Sequence, residues 1–210
     1  MLKYYNDYIR FRNVDIEQLE KWKLNYKLLI KKALKNTRRE RFLSKNPPNT
    51  GRIKILLEMF PNAKFIHIHR NPIEVFLSTQ NFYKKMLPPL QLQDISQEEV
   101  DLMIIKIYKE MMNDYFEQKE LIPTSNLVEV SYEQLEKKPN EVLGFIYDVL
   151  HLEGFTEAAP NFEKYTNNLK NYKKNKHAIS RKQLDILIKE WGFSMEKLKY
   201  TIPNNIEIID

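Results

Sequence analysis

The stretch from Phe60 to Tyr83, FPNAKFIHIHRNPIEVFLSTQNFY, constrains the fold more than any other part of this chain of 210 residues. Lys64 to His69 alternates aromatic or branched apolar residues with histidines, which predicts a strand, and Pro61 and Asn62 mark the turn before it. Arg70 then falls at the strand's carboxyl end. Asn71 offers an N-cap, Pro72 suits a first helical position and Glu74 lies in the first turn. Val75, Phe76, Thr79, Phe82 and Tyr83 continue at helical spacing, with Ser78 two turns in. In open α/β sheets, ligands collect at the carboxyl ends of strands and at helix N-termini, where backbone N–H groups and the dipole favour anions. An arginine at that point is a candidate fork for a phosphate.

The rest of the chain reads as alternating strands and helices. Asp15 to Arg38 has a helical apolar period with lysines between, which predicts a long, partly buried helix; residues 1–14 are open between a short helix and a linking segment. Arg41 to Ser44 is expected as a short strand, Gly51 to Met59 as a helix, Phe65 to His69 as the next strand and Pro72 to Met86 as the helix after it. This βαβα order favours an α/β fold with a parallel sheet. Leu87 to Gln97, with Pro88 and Pro89, is the main loop. Gln97 to Lys119 predicts a long amphipathic helix, Leu127 to Val130 a strand, and Pro139 to Leu150, Phe155 to Asn171 and Arg181 to Glu190 three more helices. The length suits one domain over residues 1–210.

Composition narrows the function classes. No apolar run approaches the ~18 residues that a membrane span needs, and MLKYYNDYIRF has no continuous apolar signal core, so a cytoplasmic protein without a membrane span is expected. The absence of cysteine removes disulfide and thiolate chemistry. A formal charge of +6 favours anionic partners. A nucleic-acid-binding module is the weakest reading, because the lysines are spread among acidic residues and no helix-turn-helix, RNP-like or zinc-finger pattern is present. His67 and His69 share one strand face, but a metal needs three or four ligands and no neighbouring pattern supplies the others; sheet-packing histidines are expected, and no metal.

The segment with Arg70 eight residues before Ser78 resembles the 3'-phosphate-binding motif of sulfotransferases that use 3'-phosphoadenosine 5'-phosphosulfate, PAPS. FLSKNPPN from Phe42 to Asn49 resembles that family's second strand and its lysine-bearing turn. VEVSYEQLEKKPNEVLGFIYDVL resembles its later strand, YEDL-type turn and helix, and NYKKNKHAISRKQLDILIKEWGF is similar to the basic loop and final helices of its bacterial and glycan-modifying branches. The ordered matches span roughly residues 40 to 195. The resemblance implies a P-loop-NTPase-like parallel sheet flanked by helices, PAPS as nucleotide sulfuryl donor, and transfer of a sulfuryl group to an acceptor hydroxyl or amine that is itself unknown.

Carried residue by residue, the resemblance assigns Lys45 to the leaving-group or sulfonate oxygens, and Arg70 and Ser78 to the 3'-phosphate. It assigns Lys174 and Lys176, in the basic run Lys173, Lys174, Lys176 and His177, to closing over that phosphate. Each has a plainer reading: an exposed turn lysine, a surface arginine, a helix serine bonding its own backbone, a solvated lysine cluster. Tyr132 matches a family tyrosine and equally suits a packed aromatic. Where cytosolic members carry a basic histidine two residues after the lysine, this chain has Pro47, so the acceptor's base is unassigned. The family's first strand and its Gly/Ser/Thr-rich phosphosulfate loop find no counterpart here, since none of Gly51, Gly144, Gly154 and Gly192 follows a predicted strand in that context. The expectation is therefore a sulfotransferase-like domain lacking that N-terminal element. Two readings stay open: an enzyme, or a non-catalytic remnant that binds adenosine 3',5'-bisphosphate weakly or serves as a partner surface. An unpaired sheet edge would invite an oligomer or a complementing N-terminal fragment.

Overall fold

The computed structural model describes residues 2–168 and 178–210, which fall into two compact units, Met1–Pro61 with Glu110–Leu121 and Asn62–Lys109 with Ile122–Asp210. The first holds helices α1 (Leu2–Tyr8), α2 (Ile16–Thr37) and α3 (Ile53–Met59). The long helix α5 (Gln97–Gln118) supplies its second half to this unit. Residues 2–14 form a helix and a turn, and the reason is charge. Asp114 is almost wholly buried on α5, where it accepts from Arg10 Nε, from Arg10 NH2 at 2.8 Å and from Arg12 NH2 at 2.6 Å, while Arg10 NH1 reaches Glu110 at 2.6 Å. A buried carboxylate with two guanidinium partners is satisfied where an isolated one would be prohibitive. Tyr5 packs in the same place, and burial, followed by the charge of Asp114, pushes its phenol well above the ordinary range.

The inner side of α2 is aromatic. Trp22 meets Phe11 at 4.6 Å and Tyr26 at 5.0 Å, and the buried guanidinium of Arg52 lies 5.0 Å over the Trp22 ring. None of the helix is fully buried, so the expected partial burial takes the form of a half-covered stripe. The expected strand at Arg41–Ser44 is absent. Those residues are irregular and exposed, and Leu43 is 82% accessible, because no strand among the described residues offers them a ladder.

The second unit carries the sheet. Strands β1 (Phe65–His69) and β2 (Leu127–Ser131) pair in parallel, with Phe65 opposite Leu127 and His69 opposite Ser131. Between them run α4 (Pro72–Met86) and α5, as a parallel pairing requires. After β2 come α6 (Tyr132–Lys137), α7 (Pro139–Val149) and α8 (Phe155–Asn168). Val128 and Val130 of β2 pack with Ile146 and Leu150, supported by Val142, Leu143, Val149 and Leu152. A second, unexpected parallel pair joins β3 (Ala178–Ser180) to β4 (Glu207–Ile209), on either side of α9 (Arg181–Lys197). The fold class is thus the expected α/β with parallel strands, in two short pairs among the described residues.

Helix α9 runs seven residues beyond the expected end at Glu190. Leu184, Leu187, Trp191, Ser194 and Met195 prolong one buried face through Gly192. Trp191 anchors it, fully buried 4.0 Å from the Tyr108 ring and 5.9 Å from Phe76, its Nε1–H donating to the Ile105 carbonyl at 3.0 Å. Tertiary burial outweighs the helix-weakening glycine. A Cβ at Gly192 would meet no atom within 4 Å. Gly192→Ala is therefore expected to stabilise the chain by about 0.5–1 kcal/mol, read as a higher urea midpoint at unchanged slope. A lower midpoint would contradict this account of the helix.

Candidate functional site

Where β1 ends, the sequence forces the chain to change course. Asn71 caps α4, its Oδ1 accepting from Ile73 N–H at 3.0 Å, and Pro72 takes the first helical position with no N–H to satisfy. This leaves Arg70 between a strand end and a helix start. Its Nε donates to Glu74 Oε2 at 2.8 Å, one turn along, and its guanidinium lies 4.8 Å over the Tyr132 ring at the start of α6. One edge and one face of the guanidinium are thereby engaged. Among the described residues, no hydrogen bond uses its two terminal NH2 groups, and the side chain is partly accessible. An arginine held in this way presents an end-on fork to an anion.

Glu74 and Ser78 are four residues apart on α4 and so share a face. Ser78 is exposed. The back-bonding expected of a helix hydroxyl is made by its neighbour, Thr79 Oγ1 to the Val75 carbonyl at 2.7 Å. Arg70, Glu74 and Ser78 therefore form one polar track leading from the strand end along the helix.

The C-terminal segment closes on this corner. Lys199 takes a left-handed conformation, φ 58°, which ends α9 and turns the chain back. Tyr200 then reaches His69, 131 residues away, with its hydroxyl 2.9 Å from Nδ1 and 3.0 Å from Glu133 Oε2. The phenol has one proton, and of its two acceptors the Glu133 carboxylate is charged and nearer than the His69 carbonyl at 3.3 Å, so the hydroxyl donates to Glu133 and His69 Nδ1–H donates to the phenol oxygen. Asn71 Nδ2 holds the Thr201 carbonyl at 2.7 Å, and Asn205 Nδ2 lies 3.4 Å from Glu74 Oε1. Burial, and then the hydrogen bond and charge of Glu133, push the Tyr200 phenol far above its usual range. Nothing in the sequence pointed to Tyr200, Glu133 or Asn205, which become neighbours of Arg70 only through folding. Glu74 was visible, but as a first-turn acid and not as a partner of Arg70.

The other sequence candidates fall on other parts of the chain. His67 faces Glu129 across the strand pair, 3.6 Å from its carboxylate, as a sheet-packing histidine would. Among the described residues no three acids, histidines or cysteines gather as a metal set. Lys45 is exposed in the irregular segment of the first unit. The turn that carries it is anchored by Arg52, whose Nε and NH2 both donate to Asn49 Oδ1 at 3.0 and 2.8 Å, while Asn49 Nδ2 lies 3.3 Å from Ser44 Oγ. Lys174 and Lys176 lie outside the described residues.

The model of the Sulfotransferase family matches residues 6–157. Over 196 residues the chain is 30% identical to the omega-hydroxy-beta-dihydromenaquinone-9 sulfotransferases Stf3 of Mycobacterium bovis and Mycobacterium tuberculosis, an alignment covering 93% of this chain and 50% of each relative. The chain thus spans about half the length of the curated relatives it matches. The crystal structure of sulfotransferase STF9 from Mycobacterium avium has the same fold over 75% of this chain and 42% of its own, with a TM-score of 0.60 at 18% identity.

The Tyr200 cluster has a consequence for alkaline stability. A phenol whose folded pKa is raised above its unfolded value of ~10 stabilises the fold fully below that value, and the stabilisation is lost as pH rises towards the folded pKa. Tyr200→Phe is expected to cost about 1–2 kcal/mol at pH 8, since Glu133 loses a charged hydrogen bond. It should also flatten the fall of stability above pH ~10, measured by urea unfolding at stepped pH. An unchanged alkaline slope in the variant would mean that Tyr200 is not held neutral by the fold.

Proposed function

This chain belongs to the sulfotransferase family, and we propose that it binds PAPS through Arg70 and Ser78 and directs a sulfuryl group to an acceptor hydroxyl or amine. The observation that supports this reading most is the Arg70 guanidinium. It sits where a parallel strand meets a helix N-terminus, held on one edge by Glu74 and on one face by Tyr132, with its terminal donors turned to neither. Such a fork fits a phosphate dianion, and a hydroxyl at Ser78 on the same helix track supplies a second donor. PAPS, when bound, supplies an activated sulfuryl group. A transfer would form a bond from the acceptor oxygen or nitrogen to sulfur and break the bond from sulfur to the bridging oxygen, releasing adenosine 3',5'-bisphosphate and giving the acceptor's proton to solvent.

The residues of this chain divide the work. Arg70 and Ser78 hold the 3'-phosphate and so fix the donor's position, which is the larger part of catalysis in group transfers of this kind. Lys45 would neutralise charge growing on the leaving oxygen, a role supported by the resemblance of its turn to the family's lysine motif. Lys174 and Lys176 would add charge over the 3'-phosphate on the same basis. For the acceptor, the Mycobacterium relatives are named for an omega-hydroxy dihydromenaquinone. We extend that chemistry to this chain as a class, a hydroxyl carried on a long apolar chain.

Calorimetric titration with adenosine 3',5'-bisphosphate at two salt concentrations tests the nucleotide reading. Saturable binding is expected, lost at least ~tenfold in Arg70→Ala, as removal of a charge-assisted fork should cost about 1.5–3 kcal/mol. Lys45→Ala should leave that affinity nearly intact and abolish sulfuryl transfer from PAPS. Absence of binding by the folded wild-type chain would overturn the proposal.

Glu74 offers a finer check. If it orients Arg70, Glu74→Ala weakens binding of adenosine 3',5'-bisphosphate by about five- to tenfold while Glu74→Gln, which still accepts from Nε–H, stays near wild type. Adenosine 5'-phosphate, which lacks the 3' group, should be indifferent to both changes. Tighter binding in Glu74→Ala would show instead that the carboxylate competes with the phosphate.

A further inference from the structure

Helix α2 has a second face that the proposed chemistry does not use. Between Lys21 and Arg39 the chain has no aspartate or glutamate. Its aromatic side, Trp22 and Tyr26, turns inward, and Lys23 on that side is tied to Glu20 and Glu58 at 2.8 Å each. On the opposite side Lys21, Leu24, Leu28, Lys31, Lys32 and Lys35 fall within about 100° of arc at 100° per residue. All of them are exposed. Leu24 and Leu28 are 59% and 44% accessible. At the helix's carboxyl end an open groove is lined by Leu29, Lys32, Ala33, Lys35, Asn36 and Arg38.

Surface lysines alone call for no partner, and single exposed leucines are ordinary. The combination is different. A lysine field with leucines at its centre matches a surface that presents anionic groups above an apolar layer, with the cations at headgroup phosphates and the leucines below them. A nucleic-acid duplex would use the lysines and leave the leucines in water. A second copy of the same face would meet like charge. No described helix is long and apolar enough to cross a membrane, so the contact would be peripheral.

We propose that the outer face of α2 docks on an anionic lipid bilayer, with Lys21, Lys31, Lys32 and Lys35 at the headgroups and Leu24 and Leu28 at the acyl boundary. This does not depend on nucleotide binding, and either property can fail while the other holds.

The test is flotation of the full chain with vesicles of phosphatidylcholine containing phosphatidylglycerol, beside vesicles of phosphatidylcholine alone, at low and high salt. Binding is expected only to the anionic vesicles and should weaken with salt. Lys31→Glu with Lys35→Glu should reduce partitioning at least ~tenfold, whereas Lys182→Glu with Lys189→Glu, the same charge change on α9, should leave most of it. Leu24→Ser with Leu28→Ser should also weaken binding with net charge unchanged, and circular dichroism confirms that each variant is folded. Three results would overturn the proposal: no flotation of wild type; equal loss in both charge-reversed pairs; or indifference to the leucine pair with duplex DNA binding lost in the Lys31 and Lys35 variant, which would assign the face to nucleic acid.

Discussion

The hydroxyl of Tyr200 joins three segments that the chain keeps far apart: the end of β1 through His69, the start of α6 through Glu133, and its own C-terminal segment. One proton decides the arrangement. The Glu133 carboxylate, charged and nearer than the His69 carbonyl, takes that proton, and the phenol oxygen then receives His69 Nδ1–H. Around that point Asn71 grips the Thr201 carbonyl and Asn205 approaches Glu74, so the corner that presents Arg70 is braced from behind by backbone and side chain together. Arg70 itself gains a fixed direction from Glu74 and Tyr132. Rigid support of this kind is what a positioned anion site requires, since a guanidinium on a free side chain would lose rotamer entropy at binding.

Charge is handled in three physically distinct ways in the molecule. Arg10 and Arg12 are neutralised by a buried carboxylate and fold the N-terminal segment against α5. Arg52 is buried without an acidic partner among its hydrogen bonds, lying over Trp22 and donating to Asn49, and burial lowers its pKa from the ordinary guanidinium value. Its work is to hold the turn that carries Lys45. The lysines on the outer side of α2 remain in solvent among exposed leucines. The formal charge of +6 therefore does not describe one basic surface.

The corner around Arg70 was legible in the sequence because every signal for it is local. Alternation from Lys64 to His69 set the strand, Asn71 and Pro72 set the helix start, and the structure has both elements at the expected positions. The misplaced elements failed for the opposite reason. Arg41–Ser44 has strand-like residues but pairs with no strand among the described residues, and α9 crosses Gly192 because Trp191, Ser194 and Met195 are buried by residues distant in sequence. The pairing of β3 with β4 likewise needs two segments on either side of a long helix to meet.

By itself the sequence determined the α/β class, the strand and capped helix that present Arg70 and Ser78, and the resemblance that membership in the sulfotransferase family bears out. These follow from periodicity, capping and turn chemistry, which act over a few residues. Only the tertiary structure decided that Glu74 holds Arg70 and that Tyr132 lies beneath it. Only the fold brings Tyr200 to the strand end and sorts the cations of the first unit into buried and exposed. Those outcomes depend on which distant groups can satisfy one another's hydrogen bonds and charges once water is excluded, and no local pattern encodes that.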